Sequence, residues 1–383
     1  MQVLSHVDPE FGGIATSVPE LSRATEAQGG PVCPIAGFSD PLERASKEER
    51  VRAKHYSANR FRWMLDHNLR RQFRETIRAA QGVHIHGVWE PHCAVAAAAA
   101  RVCKRPYVIS AHGMLDQWAL RQKRVKKALY AALVEARNLQ RASCLRALTA
   151  DEVHDYRRVG LTNPIAIVPN GIDVPPGVTG DLFWETYPHL AGRRIVLFMG
   201  RIHKKKGLEL LLHAWARVPQ KSDDVHLVIA GPDFDGSLST LQHTVEKLGL
   251  QQSVTFAGML KGEQKWSALR AASVFVLPSH SEGFSVAVLE ALSMGVPVIV
   301  TEQCHIPEVA QCHCGWTIQP EAEQVEQALT EFLQLPPEEA VRMGERGRDL
   351  IENRFRWSVV GKQMADVYNW LQGGSKPTTV EIV

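Results

Sequence analysis

The sequence has no run of about 18 apolar residues, the length a helix needs to cross a bilayer, so no spanning helix is expected. Its first residues, MQVLSHVDPEF, lack a basic region followed by an apolar core, so no secretory signal is expected either. The seven cysteines are few, odd in number and irregularly spaced. They offer no disulfide framework, and reduced thiols in a cytoplasm are the expectation. No repeat of fixed short period is present, which excludes a solenoid. The glycine fingerprint GxGxxG is missing, so dinucleotide binding is not supported. No acidic metal motif stands out. The stretch EQCHIPEVAQCHCGW (302–316) gathers Cys304, His305, Cys312, His313 and Cys314. Structural zinc sites pair their ligands as C-x2-4-C with a second pair at a distance. Here Cys312 and Cys314 are too close and no second clean pair follows, so a loop rich in Cys and His is the better reading. No metal and no cofactor is expected.

What is present is ordinary for a soluble globular protein: 383 residues, 45% hydrophobic and 22% charged. That length fits two domains better than one. The net charge of +3 hides an asymmetry. Residues 1–175 carry 25 basic against 17 acidic side chains, and the remainder 19 against 24. A basic half can attract nucleic acid, an anionic membrane surface or an anionic acceptor, and solubility alone also accounts for it.

Short apolar runs alternate with longer amphipathic segments, the pattern of α/β folds with parallel sheets. Strands are expected in MQVLSHV and near 83–87 (VHIHG), 107–113 (YVISAHG), 144–149 (CLRALT) and 164–171 (PIAIVPNG). In the second half they are expected near 193–201, 225–232, 253–258, 273–279 and 296–301. The stretch VPNGIDVPPGVTGDLFWETYPHLAGRR carries Asn-Gly and Pro-Pro, the chemistry of turns and linkers. It divides the chain into a first domain at 1–174, a linker at 175–190 and a second domain at 191–354. A last amphipathic helix follows at 355–371, then a frayed tail at 372–383.

Four stretches carry candidate chemistry. In LFMGRIHKKKGLELLLHAW a buried strand ends at Gly200, and Arg201, Lys204, Lys205, Lys206 and Gly207 precede a helix. Ligands of doubly wound folds bind beyond the carboxyl ends of strands, where such a basic cluster suits phosphates. A solvated basic turn reads equally well from these residues alone. In PSHSEGFSVAVLEALSMGVPVIV, Glu282, Gly283, Phe284 and Ser285 lie between a strand and a helix that contains Glu290. A carboxylate among Val, Leu and Ala is costly unless paired or facing a ligand. The free N–H groups and dipole of the helix start attract anions. Gly12 and Gly13 open a helix after the first strand, and His112 closes an apolar strand before Gly113. The Gly-Gly pair alone reads first as a turn, while the histidine reads as structural as readily as a ligand contact. The segment 116–142 sets Arg121, Lys123, Arg124, Lys126 and Lys127 beside Trp118, Leu120 and Tyr130. It reads as a surface helix with a solvated basic face or as one that lies on anionic lipid.

Together, GR-x4-KG (Gly200 to Gly207), EGF (282–284) and Glu282-x7-Glu290 resemble family 4 of the retaining nucleotide-sugar glycosyltransferases. The early Gly-Gly turn, SAHGMLD and VPNGID fit the same pattern, over about residues 1–370. Members active in bacterial exopolysaccharide or lipopolysaccharide assembly look closest. The resemblance implies GT-B architecture: two Rossmann-like domains facing a cleft, with a C-terminal helix returning to the first. It implies transfer of a sugar from a nucleotide-diphosphate sugar, UDP- ahead of GDP-, to a hydroxyl of a glycan or lipid-linked acceptor, with retention. By this resemblance Arg201 and Lys206 neutralise the donor diphosphate with the N–H groups of Phe284 and Ser285. Glu282 holds sugar hydroxyls, Glu290 accepts from the ribose, and His112 stands by the reacting centre. Gly12, Gly13, Gly200 and Gly283 let donor and backbone approach closely. Where the family often shows EGFG, this chain has Ser285, which still donates its N–H. The expected location is cytoplasmic, with a contact to the inner membrane face through 116–142 and no nucleic-acid partner. Two other readings stay open: a GT-B-like epimerase or phosphorylase, and a basic membrane- or nucleic-acid-binding module.

Overall fold

The computed structural model describes residues 1–7, 13–37, 53–55, 67–116, 120, 130, 134–218 and 224–382. The chain divides into two compact units, Met1–Gly171 with Arg356–Val383, and Ile172–Phe355. The strands of the first unit are β1 (Gln2–Leu4), β2 (Ile35–Gly37), β3 (Ala53–His55), β4 (Val83–His86), β5 (Tyr107–Ser110), β6 (Cys144–Ala147) and β7 (Ile165–Ile167). The second unit holds β8 (Arg194–Met199), β9 (Val225–Ala230), β10 (Val254–Gly258), β11 (Ala272–Leu277), β12 (Val298–Thr301) and β13 (Gly315–Ile318). The chain then returns to the first unit, where it ends on β14 (Val380–Glu381).

Among the described residues the first sheet runs β14-β7-β6-β5-β4-β1-β2-β3 and the second β10-β9-β8-β11-β12-β13. Every pairing is parallel except β14 on β7. Parallel strands are covered on both faces, so their sequences read as near-continuous apolar runs. VHLVIA of β9 is buried at every position, and so are five of the six residues of β8. The strand order reverses between β1 and β4 in the first sheet and between β8 and β11 in the second. Those two switch points are where open α/β sheets bind ligands.

The helix Trp357–Leu371 returns to the first unit, where Trp357, Val360, Met364 and Val367 pack with Leu21 and Ala24 of the helix Gly13–Ala27. Two expectations need correction. The stretch 175–190 is not a bare linker: it folds as a helix, Asp181–Thr186, and a 3-10 turn, Pro188–Leu190. Phe183 of that helix and Leu190 of that turn are buried in the second unit's core. The tail is not frayed throughout either. Val380 is buried and pairs with Ala166, so β14 covers an otherwise open sheet edge. The short strands β2, β3 and β13 had no counterpart in the expectation.

Candidate functional site

The second unit's switch point gathers most of the predicted residues. After β8 the chain passes Gly200 and Arg201 into a 3-10 turn, Lys204–Lys206. The turn forms because His203 accepts the N–H of Lys205 through Nδ1 at 3.1 Å, while Lys206 N–H bonds the His203 carbonyl at 2.9 Å. It stops at Gly207, whose φ of +69° is left-handed. A Cβ there would stand 2.0 Å from the Pro278 carbonyl oxygen, so only glycine lets the turn lie against the end of β11. Backbone then stitches the two loops together: His280 N–H donates to the Lys205 carbonyl at 2.7 Å.

On this frame Lys206 Nζ meets Glu282 Oε1 at 2.6 Å, with the two side chains only 12% and 9% exposed. Ser279 Oγ donates to the same oxygen at 2.6 Å, and Thr301 Oγ1 donates to the Ser279 carbonyl at 2.6 Å. Glu282 N–H bonds the Gln303 carbonyl at 3.1 Å, which ties the loop to the end of β12. Glu282 Oε2 has no partner among the described residues. Glu290, on the helix Val286–Ser293, is arranged in the same way. Its Oε1 accepts from Lys265 Nζ at 2.7 Å and its Oε2 has no partner among the described residues. Each carboxylate thus engages a lysine through one oxygen and offers the other to a hydroxyl donor.

Ser285 stands at the N-cap of that helix, and its side chain makes no cap hydrogen bond. The N–H groups of Phe284 and Ser285 have no partner among the described residues, which leaves them to an anion. Phe284 packs against the second core and Gly283 is half-buried beside it. Arg201 is exposed, and its guanidinium lies 4.5 Å from the Phe234 ring centroid. The Phe234 ring is itself 61% exposed. Lys206 passes beside Gly200, at 3.7 Å from where a Cβ would stand. The fold thereby joins Gly200, Lys206, Gly283, Phe284, Ser285 and Glu282 at one edge, with Arg201 at its rim.

In the first unit His112 follows β5 with φ +54°, a left-handed conformation that costs a non-glycine residue about 1 kcal/mol or more. Its neighbours hold it there. Gly113 N–H donates to Glu152 Oε1 at 2.7 Å, and Ala111 N–H donates to the Tyr156 hydroxyl at 3.0 Å. Burial, and then the Arg146 charge, push the His112 imidazolium down to about 3, so the ring is neutral at ordinary pH. Gly13 begins the helix Gly13–Ala27, and a Cβ there would meet nothing within 4 Å. Gly12 lies outside the described residues, as does most of 116–142, including Trp118, Arg121, Lys123, Arg124, Lys126 and Lys127.

The sequence pattern missed Lys265, Ser279, Gln303 and Phe234. Lys265 sits in KGEQKW, where no spacing couples it to Glu290; the ion pair exists only because the helix Glu263–Ala271 brings it there. Among the described residues no group of three or more His, Cys, Asp and Glu stands close enough to hold a metal ion. Cys304 of the Cys/His-rich stretch is buried, and its thiol is directed to the Leu277 carbonyl at 3.6 Å.

Two family models match this chain: glycosyl transferases group 1 over residues 185–350, and a glycosyl transferase 4-like domain over residues 12–171. A D-inositol 3-phosphate glycosyltransferase of Segniliparus rotundus is 31% identical over 228 residues, 56% of this chain and 51% of that one. The match therefore spans about half the length of that relative. A GDP-mannose:cellobiosyl-diphosphopolyprenol alpha-mannosyltransferase of Xanthomonas campestris is 25% identical over 79% of this chain and 78% of its own. Among solved structures, Anabaena Alr3699/HepE in complex with UDP and glucose superposes with a TM-score of 0.75. That likeness covers 97% of this chain and 100% of that one at 17% identity. It establishes GT-B architecture: two parallel-sheet, Rossmann-like units.

Proposed function

This chain belongs to the group 1 glycosyltransferases, and from that premise we propose that it moves a sugar from a nucleoside-diphosphate sugar to a hydroxyl of a glycan or lipid-linked acceptor, in the assembly of a surface polysaccharide. The observation that carries this reading is the pair of half-engaged carboxylates, Glu282 and Glu290. A surface for phosphate alone would not need them; a donor that also presents sugar and ribose hydroxyls would. Glu282 Oε2 accepts from the sugar, and Glu290 Oε2 from the ribose. UDP is the expected base ahead of GDP, in keeping with the Anabaena complex, although the Xanthomonas relative is named for GDP-mannose.

The reaction breaks the bond between the anomeric carbon and the diphosphate oxygen and forms one to the acceptor oxygen. Negative charge grows on the leaving diphosphate. Arg201, Lys206 and the N–H groups of Phe284 and Ser285 stand preorganised for it, the kind of term that is often the largest in catalysis. In the retaining course that we propose, the acceptor hydroxyl attacks from the face the diphosphate leaves, and a diphosphate oxygen takes its proton. His112 of the first unit is assigned to accept a hydrogen bond from a substrate hydroxyl. These groups supply the charge stabilisation themselves, so transfer is expected to proceed without added divalent metal.

The test is a thermal-shift screen against UDP, GDP, ADP and TDP and their sugar conjugates, with EDTA present. A ligand that binds only the folded state raises its stability by mass action. A shift with one nucleotide that Arg201→Ala abolishes supports the site; no shift with any of them in folded protein sinks it. Product analysis with the nucleotide so found separates transfer, which needs an acceptor, from epimerisation or phosphorolysis.

A further inference from the structure

Five side chains of the first unit form a buried chain of hydrogen bonds that ends on His112. Gln2 on β1, His84 and His86 on β4 and Ser110 on β5 point to one face of the sheet, since Gln2 pairs with His84 and His86 with Ser110 in the strand register. The helix Trp357–Leu371 adds Tyr368. Gln2 and Ser110 are 0% exposed, and His84 and His86 2%. With so little water, protons have to be shared out within the chain.

The sharing has one direction. Gln2 Nε2 donates to the Tyr368 hydroxyl at 3.0 Å, and Gln2 Oε1 stands 2.7 Å from His86 Nε2. A carbonyl oxygen only accepts, so His86 carries its proton on Nε2. Burial, followed by the neighbouring His84 and His112, holds its imidazolium well below the ordinary range. His86 is therefore neutral, and its Nδ1 bears a lone pair. That Nδ1 is 3.1 Å from His112 Nε2, so His112 donates there. The other branch agrees: Tyr368, which accepts from Gln2, donates to His84 Nδ1 at 2.7 Å, and His84 Nε2 donates to Ser110 Oγ at 2.8 Å. His112 Nδ1 has no partner among the described residues.

We propose that Gln2 and His86 are positioning residues that hold His112 as its Nε2–H tautomer, so that it meets the substrate with a bare Nδ1 lone pair. The nature of that substrate rests on the reading above: Nδ1 takes a hydroxyl, which can donate, and has nothing to offer an ether or carbonyl oxygen at the same place. The choice of tautomer is made 84 residues from His86, at the second residue of the chain.

The test is the nitrogen spectrum of the full chain labelled with 15N-histidine, read through long-range proton couplings. His112 is assigned by its loss in His112→Asn, since Asn tolerates the left-handed backbone there. The expected result is a pyridine-type Nδ1 and a pyrrole-type Nε2. A pyrrole-type Nδ1, which a reversed Gln2 amide would produce, overturns the proposal, and so does an averaged pair of shifts. In His86→Phe the tautomers should average, and kcat/KM for transfer should fall about tenfold, the effect of one neutral hydrogen bond. Nucleotide affinity should not change. If His112 keeps its tautomer in that variant, His86 does not set it. Should His86→Phe fail to fold, Gln2→Met removes the acceptor one step back and gives the same readout. The spectrum of the unsubstituted protein needs no donor. Failure of the proposed function, seen as no nucleotide binding, is therefore distinct from failure of this inference.

Discussion

The Lys206–Glu282 pair allows a quantitative prediction, because it joins the two motif loops and is almost closed to water. Its side chains are 12% and 9% exposed at a separation of 2.6 Å. Lys206→Met leaves the Glu282 carboxylate with the Ser279 hydroxyl and no cation among the described residues. Breaking a buried pair from one side costs about 3–5 kcal/mol, because a charge stays behind unpaired. The residual exposure argues for the lower end, about 3 kcal/mol. For a unit of this size that corresponds to a fall of about 6–12 °C in the melting temperature of Ile172–Phe355. Glu282→Gln should cost less, about 1–2 kcal/mol, since its carbonyl oxygen still accepts from Lys206 and Ser279. The double variant Lys206→Met, Glu282→Leu removes both charges and should lie within about 1 kcal/mol of the parent, as apolar replacements of buried pairs do. The assay is urea denaturation of all four proteins at pH 7, with calorimetry to resolve the transitions of the two units. A Lys206→Met cost below about 1 kcal/mol, or a double variant no more stable than Lys206→Met alone, would show that the loops are not coupled through this pair.

Arg201→Ala should leave stability within about 1 kcal/mol, since it loses only an exposed contact to the Phe234 ring, yet should remove nucleotide binding in the thermal-shift assay. Gly200→Ala places a Cβ 3.5 Å from Phe198 and 3.7 Å from Lys206, ordinary contacts, so the protein should fold normally and lose donor affinity if the diphosphate approaches that backbone. Gly207→Ala meets the Pro278 carbonyl at 2.0 Å in a left-handed backbone and should destabilise the second unit by several kcal/mol, seen as a lower urea midpoint. The histidines of the first unit predict a pH dependence. His84, His86 and His112 have folded pKa values depressed below the ordinary 6.5, to about 3 for His112. The unfolded chain binds their protons first, so stability is full above about pH 6.5 and falls as pH drops from there toward 3. Each ring contributes up to about 1.4 kcal/mol per pH unit. Urea midpoints from pH 8 to 4 should show the slope, and His84→Gln should reduce it.

Much of this molecule is legible in its sequence because parallel strands buried on both faces must be apolar throughout. VHIH, YVIS, VHLVIA and VIVT announce themselves by composition. AKH of β3 and VE of β14 do not: they sit at the two edges of the first sheet, where one neighbour suffices and no apolar run is required. The misread linker has a similar cause. Pro-Pro and Asn-Gly mark turns correctly, but DLFWET between them holds too few apolar residues to show that Phe183 is buried.

The candidate site divides along the same line. Basic residues after β8 and a carboxylate after β11 follow from strand order alone, since both loops leave the sheet at its switch point. Which lysine turns inward does not follow from spacing in KKK. It is set by Gly207, whose missing Cβ lets the turn touch Pro278, and by the carboxylate waiting 76 residues away. The same holds for Lys265 with Glu290 and for Gln2 with His86. In each case one partner lies in a recognisable stretch and the other in an unremarkable one. A side chain such as Gln2, which reads as a polar residue in a short first strand, takes on its proposed role only through the hydrogen bond it accepts from His86 on the neighbouring strand. Local sequence therefore carries the charged residues of the candidate site, while their orientation follows from contacts that only the folded chain makes.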